Sequence, residues 1–245
     1  MRLPRLYAPD LSQLVVANFS DSLRTLWCNG PDTEQFDRLA HWLGEASQKE
    51  GVRLHAWTIT PCAIRLVATP AHQASLSRLI QGLGRRLGST LRSGPVFQGR
   101  YRSALLEPGS WVIPAIIWVE SAPADKGWAP GPLAWRWSSA GSHAGSERGL
   151  ISQLGFHHDY WSCGNTPFDR QARYRAALTR GLEPLERARI DQAIRGQWAL
   201  GSDAFVAGLG TLVSRRAVPT RRGRPRKTES HAQTSDKHQQ AQEQN

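Results

Sequence analysis

The stretch Val52-Arg53-Leu54-His55-Ala56-Trp57-Thr58-Ile59-Thr60-Pro61-Cys62-Ala63-Ile64-Arg65-Leu66-Val67-Ala68-Thr69-Pro70 decides the fold. Two β-rich runs, Val52 to Thr60 and Ala63 to Thr69, are separated by Pro61 and Cys62 alone. A connection so short permits only an antiparallel hairpin. Upstream, Asp32 is placed to cap a helix with Gln35 three residues on, and Phe36, Leu39, Leu43 and Ala46 recur at helical spacing until Gly51 stops it. Before that helix, Leu14 to Phe19 is short, apolar and β-branched at Val15 and Val16, the pattern of a buried strand. Downstream, Ser75 offers a cap to a second helix with the stripe Leu76, Leu79, Ile80, Leu83 and Leu87, and Arg78, Arg85, Arg86 and Arg92 lie at or beyond its margins. Tyr101 to Leu106 reads as a fourth strand closed by Pro108 and Gly109, and Ser110 as the cap of a helix from Trp111 to about Glu120 that stops before Pro123. The order βαββαβ plus an extra helix puts two crossover helices on one face of a four-stranded antiparallel sheet. That is an α+β fold of the ferredoxin-like arrangement.

Past Gly127 the chain turns to Trp128, Pro130, Gly131, Pro132, Trp135, Trp137, Ser138 and Ser139, a loop-rich stretch whose aromatics must pack, so it is expected to wrap the sheet. Helical patterns resume at Asp169 to Leu178, Pro184 to Arg195 and Ser202 to Val213. From Val218 onward apolar residues nearly vanish, and a disordered end is expected. These shifts divide the chain into 1–150, a helical C-terminal region over 151–214, and a basic tail over 215–245.

With 31 Lys and Arg against 20 Asp and Glu, the formal charge is +11 and the pI is near 10.5. An excess of that size points to a polyanionic partner, nucleic acid before membrane. No run approaches the ~20 apolar residues of a membrane span, nor does an apolar signal core follow Arg2 and Arg5, so a cytoplasmic, nucleoid-associated protein is expected. Cys28, Cys62 and Cys163 are odd in number and unpaired in spacing, which suggests neither a disulfide framework nor a zinc knuckle. Ten Trp against one Met leaves core filling, interface anchoring and base stacking all open.

The hairpin His55 to Pro70 resembles the signature strand pair of the REP-associated tyrosine transposases, members of the HUH single-strand transposase superfamily. Further blocks follow in the same order: Ser75-Leu76-Ser77-Arg78-Leu79-Ile80-Gln81, Phe97-Gln98-Gly99-Arg100-Tyr101-Arg102-Ser103, Trp137-Ser138-Ser139, Gly201-Ser202-Asp203-Ala204-Phe205 and Gly223-Arg224-Pro225-Arg226-Lys227. The resemblance makes 1–150 a transposase-like DNA-binding domain. It also implies a particular chemistry. Two histidines one residue apart on a strand ligate a divalent metal that polarises the scissile phosphate, and a helical tyrosine attacks to leave a phosphotyrosine, helped by an asparagine one turn on. In this chain the family's Pro-Asn-His-x-His falls on Pro61-Cys62-Ala63-Ile64-Arg65, and its Tyr-Ile-x-x-Asn-Pro on Trp118-Val119-Glu120-Ser121-Ala122-Pro123. Both ligands, the nucleophile and the helper are replaced. Neither Ala nor Trp can ligate a metal or form a phosphate ester, so no catalytic residue, metal or cofactor is assigned, while Arg65 could hold a phosphate where the metal would sit. An active transposase using a non-standard site is the alternative, and a protein-interaction module without DNA binding is a second.

Under this resemblance the DNA-contacting residues are expected to be Arg65, Arg100 and Arg102, with Trp118 as a base-stacking surface. In the tail, Arg222-Gly223-Arg224-Pro225-Arg226-Lys227 resembles an AT-hook, whose extended core lets arginines enter a narrow minor groove. A merely solvated basic tail is the alternative there. The expected partner is hairpin or single-stranded DNA; a homodimer or a transposase partner stays open.

Overall fold

Side-chain alternation along the strands builds two large cores, one on each face of a single sheet, and a third, smaller cluster of Leu6, Ala8, Leu105, Ala199, Leu209 and Ala217 lies beside the last strand. The computed structural model describes residues 4–27, 30–92, 94–146, 149–151, 153–213 and 215–219. Strands β1 (Gln13–Asn18), β2 (Val52–Ile59), β3 (Ala63–Pro70) and β4 (Arg102–Leu105) lie in the order β2-β3-β1-β4, every neighbouring pair antiparallel. The helices are α1 (Asp21–Leu26), α2 (Thr33–Lys49), α3 (Ser75–Leu91), α4 (Val112–Glu120), α5 (Ala122–Asp125), α6 (Ala140–Ala144), α7 (His158–Trp161), α8 (Pro167–Arg180), α9 (Pro184–Gly196) and α10 (Asp203–Gly208). The fold is α+β, as the hairpin and helix pattern predict. Among the described residues no helix is long and apolar enough to cross a membrane.

On β3, Ile64, Leu66 and Ala68 face a core completed by Phe36, Leu39 and Leu43 of α2 and Leu76, Leu79, Leu83 and Leu87 of α3. Ala63 and Val67 face the opposite core, with Val112, Ile116 and Val119 of α4. Tyr174 and Leu178 of α8 and Ile190 and Ile194 of α9 join that second core, so residues on both sides of position 150 share one packed interior. Each of these fully buried large aliphatic side chains contributes roughly 1.5–3 kcal/mol relative to an exposed one.

Several local expectations are corrected. Ser75 lies inside α3, which is capped at Ala74, and its buried Oγ has no partner. Trp111, rather than Ser110, precedes the first turn of α4. The short α1 interrupts the polar run after β1, because Leu23 finds a place in the first core. Asp32 does cap α2, accepting from the Gln35 N–H, and Gly51 ends that helix with φ +62°. Ser202 likewise accepts from the Phe205 N–H, but α10 stops at Gly208, short of Val213.

The register of the quoted hairpin contains a bulge at His55, which lies between the pairs Leu54–Ala68 and Ala56–Val67. The extra residue is held from both ring nitrogens, Nδ1 on the Gly155 carbonyl and Nε2 on Thr69 Oγ1 at 2.8 Å. Burial, with smaller contributions from neighbouring His157, Arg53 and His143, pushes its pKa from 6.5 down to about 4, against the opposing hydrogen bond to Gly155. The unfolded chain therefore takes up a proton first as pH falls. Stability from a neutral His55 is complete above pH 6.5 and drains away toward pH 4; by pH 5 the loss is about 2 kcal/mol. Urea titrations at pH 7 and pH 5 should show it, and Asp and Glu titration can be subtracted with a His55→Gln variant, in which the step should shrink.

Both sheet edges are covered. The Trp-Ser-Ser segment wraps β2 as expected: the Ile59 N–H donates to Trp137 O, the Ser139 N–H to Trp57 O, and the Trp57 N–H to Ser139 Oγ. At the far edge, the Leu200 N–H donates to Leu105 O, and the Ala199 N–H to Ala217 O. No backbone of β2 or β4 is left as an open pairing template along these stretches.

Candidate nucleic-acid interface

A row of cross-strand partners crosses the sheet on the α4 side. Thr58 pairs with Arg65, Arg65 with Val16, and Val16 with Arg102. At about 4.8 Å per strand, Arg65 and Arg102 stand roughly 10 Å apart through the backbone, on one face. Arg65 is half-buried and Arg102 exposed. Over this row α4 brings Trp118, and the Arg65 guanidinium lies 4.3 Å from the centroid of its ring. Residues that the sequence resemblance relates to the metal and the nucleophile thus do meet in space.

What they form is a stacked cation rather than a metal centre. Ala63 offers no donor, a guanidinium does not ligate a cation, and Ala122, buried at 1% exposure, carries only a methyl. These side chains do not fit a divalent ion. Elsewhere among the described residues, no group of three or more His, Cys, Asp or Glu is placed to hold one. Burial lowers the Arg65 pKa from its ordinary value, opposed by the carboxylates of Asp125 and Asp191, yet neither carboxylate forms a direct ion pair with it and its Nε has no partner. Those two acids are otherwise engaged: Asp191 on α9 accepts from Trp118 Nε1 at 3.1 Å, and Asp125 accepts two bonds from Arg187 at 2.5 and 3.2 Å. Stacking occupies the flat face of Arg65, and its Nε is buried within the plane of the guanidinium.

Trp118 itself is 6% exposed. A base could stack on it only after Arg65 moved aside, so its role in this arrangement is to hold the arginine.

Arg100 and Arg102 owe their positions to Gly99, whose φ of +73° turns the chain after Phe97. Gln98 anchors the turn by donating its N–H to Asn18 O at 2.9 Å. Between the two arginines, Tyr101 is buried in the first core, which leaves its neighbours outward. Neither Arg100 nor Arg102 has a carboxylate partner among the described residues. By contrast, Arg78, Arg86 and Arg136 on the helical side are paired with Glu50, Glu45 and Asp37.

Reasoning from sequence missed the polar knot beneath this site. Glu120, the last residue of α4, is fully buried and accepts from Ser139 Oγ (2.5 Å), His143 Nδ1 (2.7 Å) and Tyr174 OH (2.5 Å). Tyr160 OH donates to the His143 carbonyl at 2.6 Å. Burial first, then Glu120, holds the Tyr174 phenol well above the ordinary tyrosine range. This knot ties the helix carrying Trp118 to the β2 edge, α6 and α8. The one available signal was a charged residue in an otherwise apolar helix. His157, next to His158, serves as the N-cap of α7, its Nδ1 accepting from the Asp159 N–H. The tail residues Arg222, Arg224, Pro225, Arg226 and Lys227 lie outside the described residues.

No protein-family model matches the chain. No curated protein sequence matches it either. Among solved structures, the chain is similar to a REP-associated tyrosine transposase bound to a REP hairpin, at 15% identity and a TM-score of 0.50, over 65% of this chain and 93% of that one. A candidate transposase from Deinococcus radiodurans is similar at 20% identity over 44% of this chain and 88% of that one, with a TM-score of 0.34 that is too low to carry weight. The first likeness establishes a shared fold.

Proposed function

We propose that this protein binds hairpin or single-stranded DNA on a transposase fold and does not cut it. The observation that carries the reading is the Arg65–Trp118 stack, standing where the sequence resemblance relates the metal ligands and nucleophile, in line with Arg102 across β1. A guanidinium without a direct ion pair, pre-oriented on an aromatic face, suits a phosphodiester and can supply neither a nucleophile nor a Lewis acid. The strand order β2-β3-β1-β4 with α2 and α3 on one face supports the ferredoxin-like reading of the sheet. The solved neighbour's hairpin supports hairpin DNA as the ligand class. In this reading Arg65, Arg100 and Arg102 contact the strand, and the Arg222 to Lys227 segment adds an AT-hook-like minor-groove contact.

The test is a labelled REP-like hairpin with a single-stranded extension, incubated with the full chain and Mg or Mn. Binding is expected, with no nicked product and no covalent adduct. A denaturation-resistant adduct that disappears when one of Tyr7, Tyr101, Tyr160 or Tyr174 is changed to Phe would establish the active-enzyme alternative instead.

A further inference from the structure

Arg5 occupies a position that none of the sequence motifs covers. Its guanidinium lies 3.5 Å from the centroid of the Tyr101 ring, and its Nε and Nη2 both donate to the Tyr101 carbonyl, at 3.3 and 3.2 Å. Two of its five N–H groups are thereby used, and the fork is held in one orientation. Tyr101 is itself fixed, buried in the first core with its hydroxyl 3.2 Å from Ser77 Oγ. The side chain is half-buried, and its pKa is lowered by that burial and, in smaller part, by the nearby positive charge of Arg100. No carboxylate pairs with Arg5, Arg100 or Arg102 among the described residues, whereas Arg24, Arg38, Arg53, Arg173 and Arg187 each have one.

The place therefore holds an aligned, partly desolvated guanidinium bound to the residue that follows Arg100, with no carboxylate among the described residues paired to either arginine. An anion there would meet N–H groups whose conformational freedom is already lost. Arg5 and Tyr101 lie on the side of β4 opposite Arg102, so such an anion would sit around the edge of the sheet from the row containing Arg65.

We propose that Arg5, held on the residue that follows Arg100, clamps a phosphate of the nucleic-acid backbone, extending the Arg65–Arg102 row around the β4 edge. This rests on the DNA-binding reading above and adds to it a residue and a path for the strand.

The test measures affinity of the full chain for the same labelled hairpin at several salt concentrations, for wild type, Arg5→Gln, Arg5→Lys and Arg102→Gln. Losing one charge-assisted contact should weaken Arg5→Gln about tenfold. Its log-log salt slope should fall by about 0.7–0.9, the share of one phosphate. Arg5→Lys keeps the charge and loses the fork, so it should keep the slope and weaken by only about threefold. That variant decides the matter if Arg5→Gln proves misfolded by circular dichroism. Wild-type affinity and slope in both Arg5 variants, with Arg102→Gln weakened, would overturn the clamp and leave the DNA reading standing. Failure of the wild-type chain to bind DNA even at low salt would overturn both. Inorganic phosphate displacing the hairpin from wild type at millimolar concentration would show a small-anion site and overturn the polymer assignment.

Discussion

Replacing Glu120 with alanine should lower the unfolding free energy by about 3–5 kcal/mol, the range for removing one partner of a buried, hydrogen-bonded charged group. Ser139, His143 and Tyr174 would each lose the Glu120 acceptor inside the buried core, and the Nε2 of His143 has no partner to begin with. The damage should spread further than an ordinary cavity, because the carboxylate joins α4 to the β2 edge, α6 and α8. Glu120→Gln keeps the volume and one strong acceptor, and its cost should be about half as large. Urea unfolding checks both, and a Glu120→Ala loss below 1 kcal/mol would mean that apolar packing alone holds these elements together. DNA affinity offers a second readout. If α4 loosens, Trp118 no longer fixes Arg65, and hairpin binding should weaken even under conditions where the variant is folded.

Deleting the tail should weaken binding to every DNA and flatten its salt dependence. The structure shows where to cut. Ala217 is 5% exposed and accepts from the Ala199 N–H beside β4, and Arg215 packs over Trp198, so a cut after Val213 would disturb the fold as well as the charge. Truncation after Pro219 avoids this. It removes six basic residues (Arg221, Arg222, Arg224, Arg226, Lys227 and Lys237) against three acidic ones (Glu229, Asp236 and Glu243). If half of the six neutralise a phosphate, the log-log slope should fall by about 2–3 and affinity near physiological salt by on the order of 100-fold. Preference for a hairpin over an unstructured strand should survive, since Arg65, Arg100 and Arg102 remain. An unchanged slope would make the tail a bystander. The removed segment's excess is only three of the eleven net charges, so residues 1–219 carry the rest.

The amino-acid sequence by itself determined the elements whose causes are local. The β2–β3 hairpin was legible because Pro61 and Cys62 leave no room for another connection, and α2 because Asp32, the apolar stripe and Gly51 mark its start, face and end. The replacements at Ala63, Arg65, Trp118 and Ala122, on which the proposal of binding without cleavage rests, were legible too, since they depend on residue type and require no geometry. Cap assignments at Ser75 and Ser110 failed because a serine before an apolar run is only permitted to cap, and the packing of the helix decides where its first turn begins.

Only the tertiary structure decided what joins residues distant in the chain. Glu120 meets Tyr174 across 54 positions, Trp118 meets Asp191 across 73, and Arg5 meets Tyr101 across 96. No periodicity encodes those distances. The same limit explains Trp118, whose exposure depends on whether Arg65 lies over it, and His55, which bulges where β2 advances two residues, from Leu54 to Ala56, while β3 advances one, from Ala68 to Val67. Pairings within one turn or one hairpin follow from backbone periodicity. Contacts between elements follow from which faces must be buried together, and that is settled only when the whole chain packs.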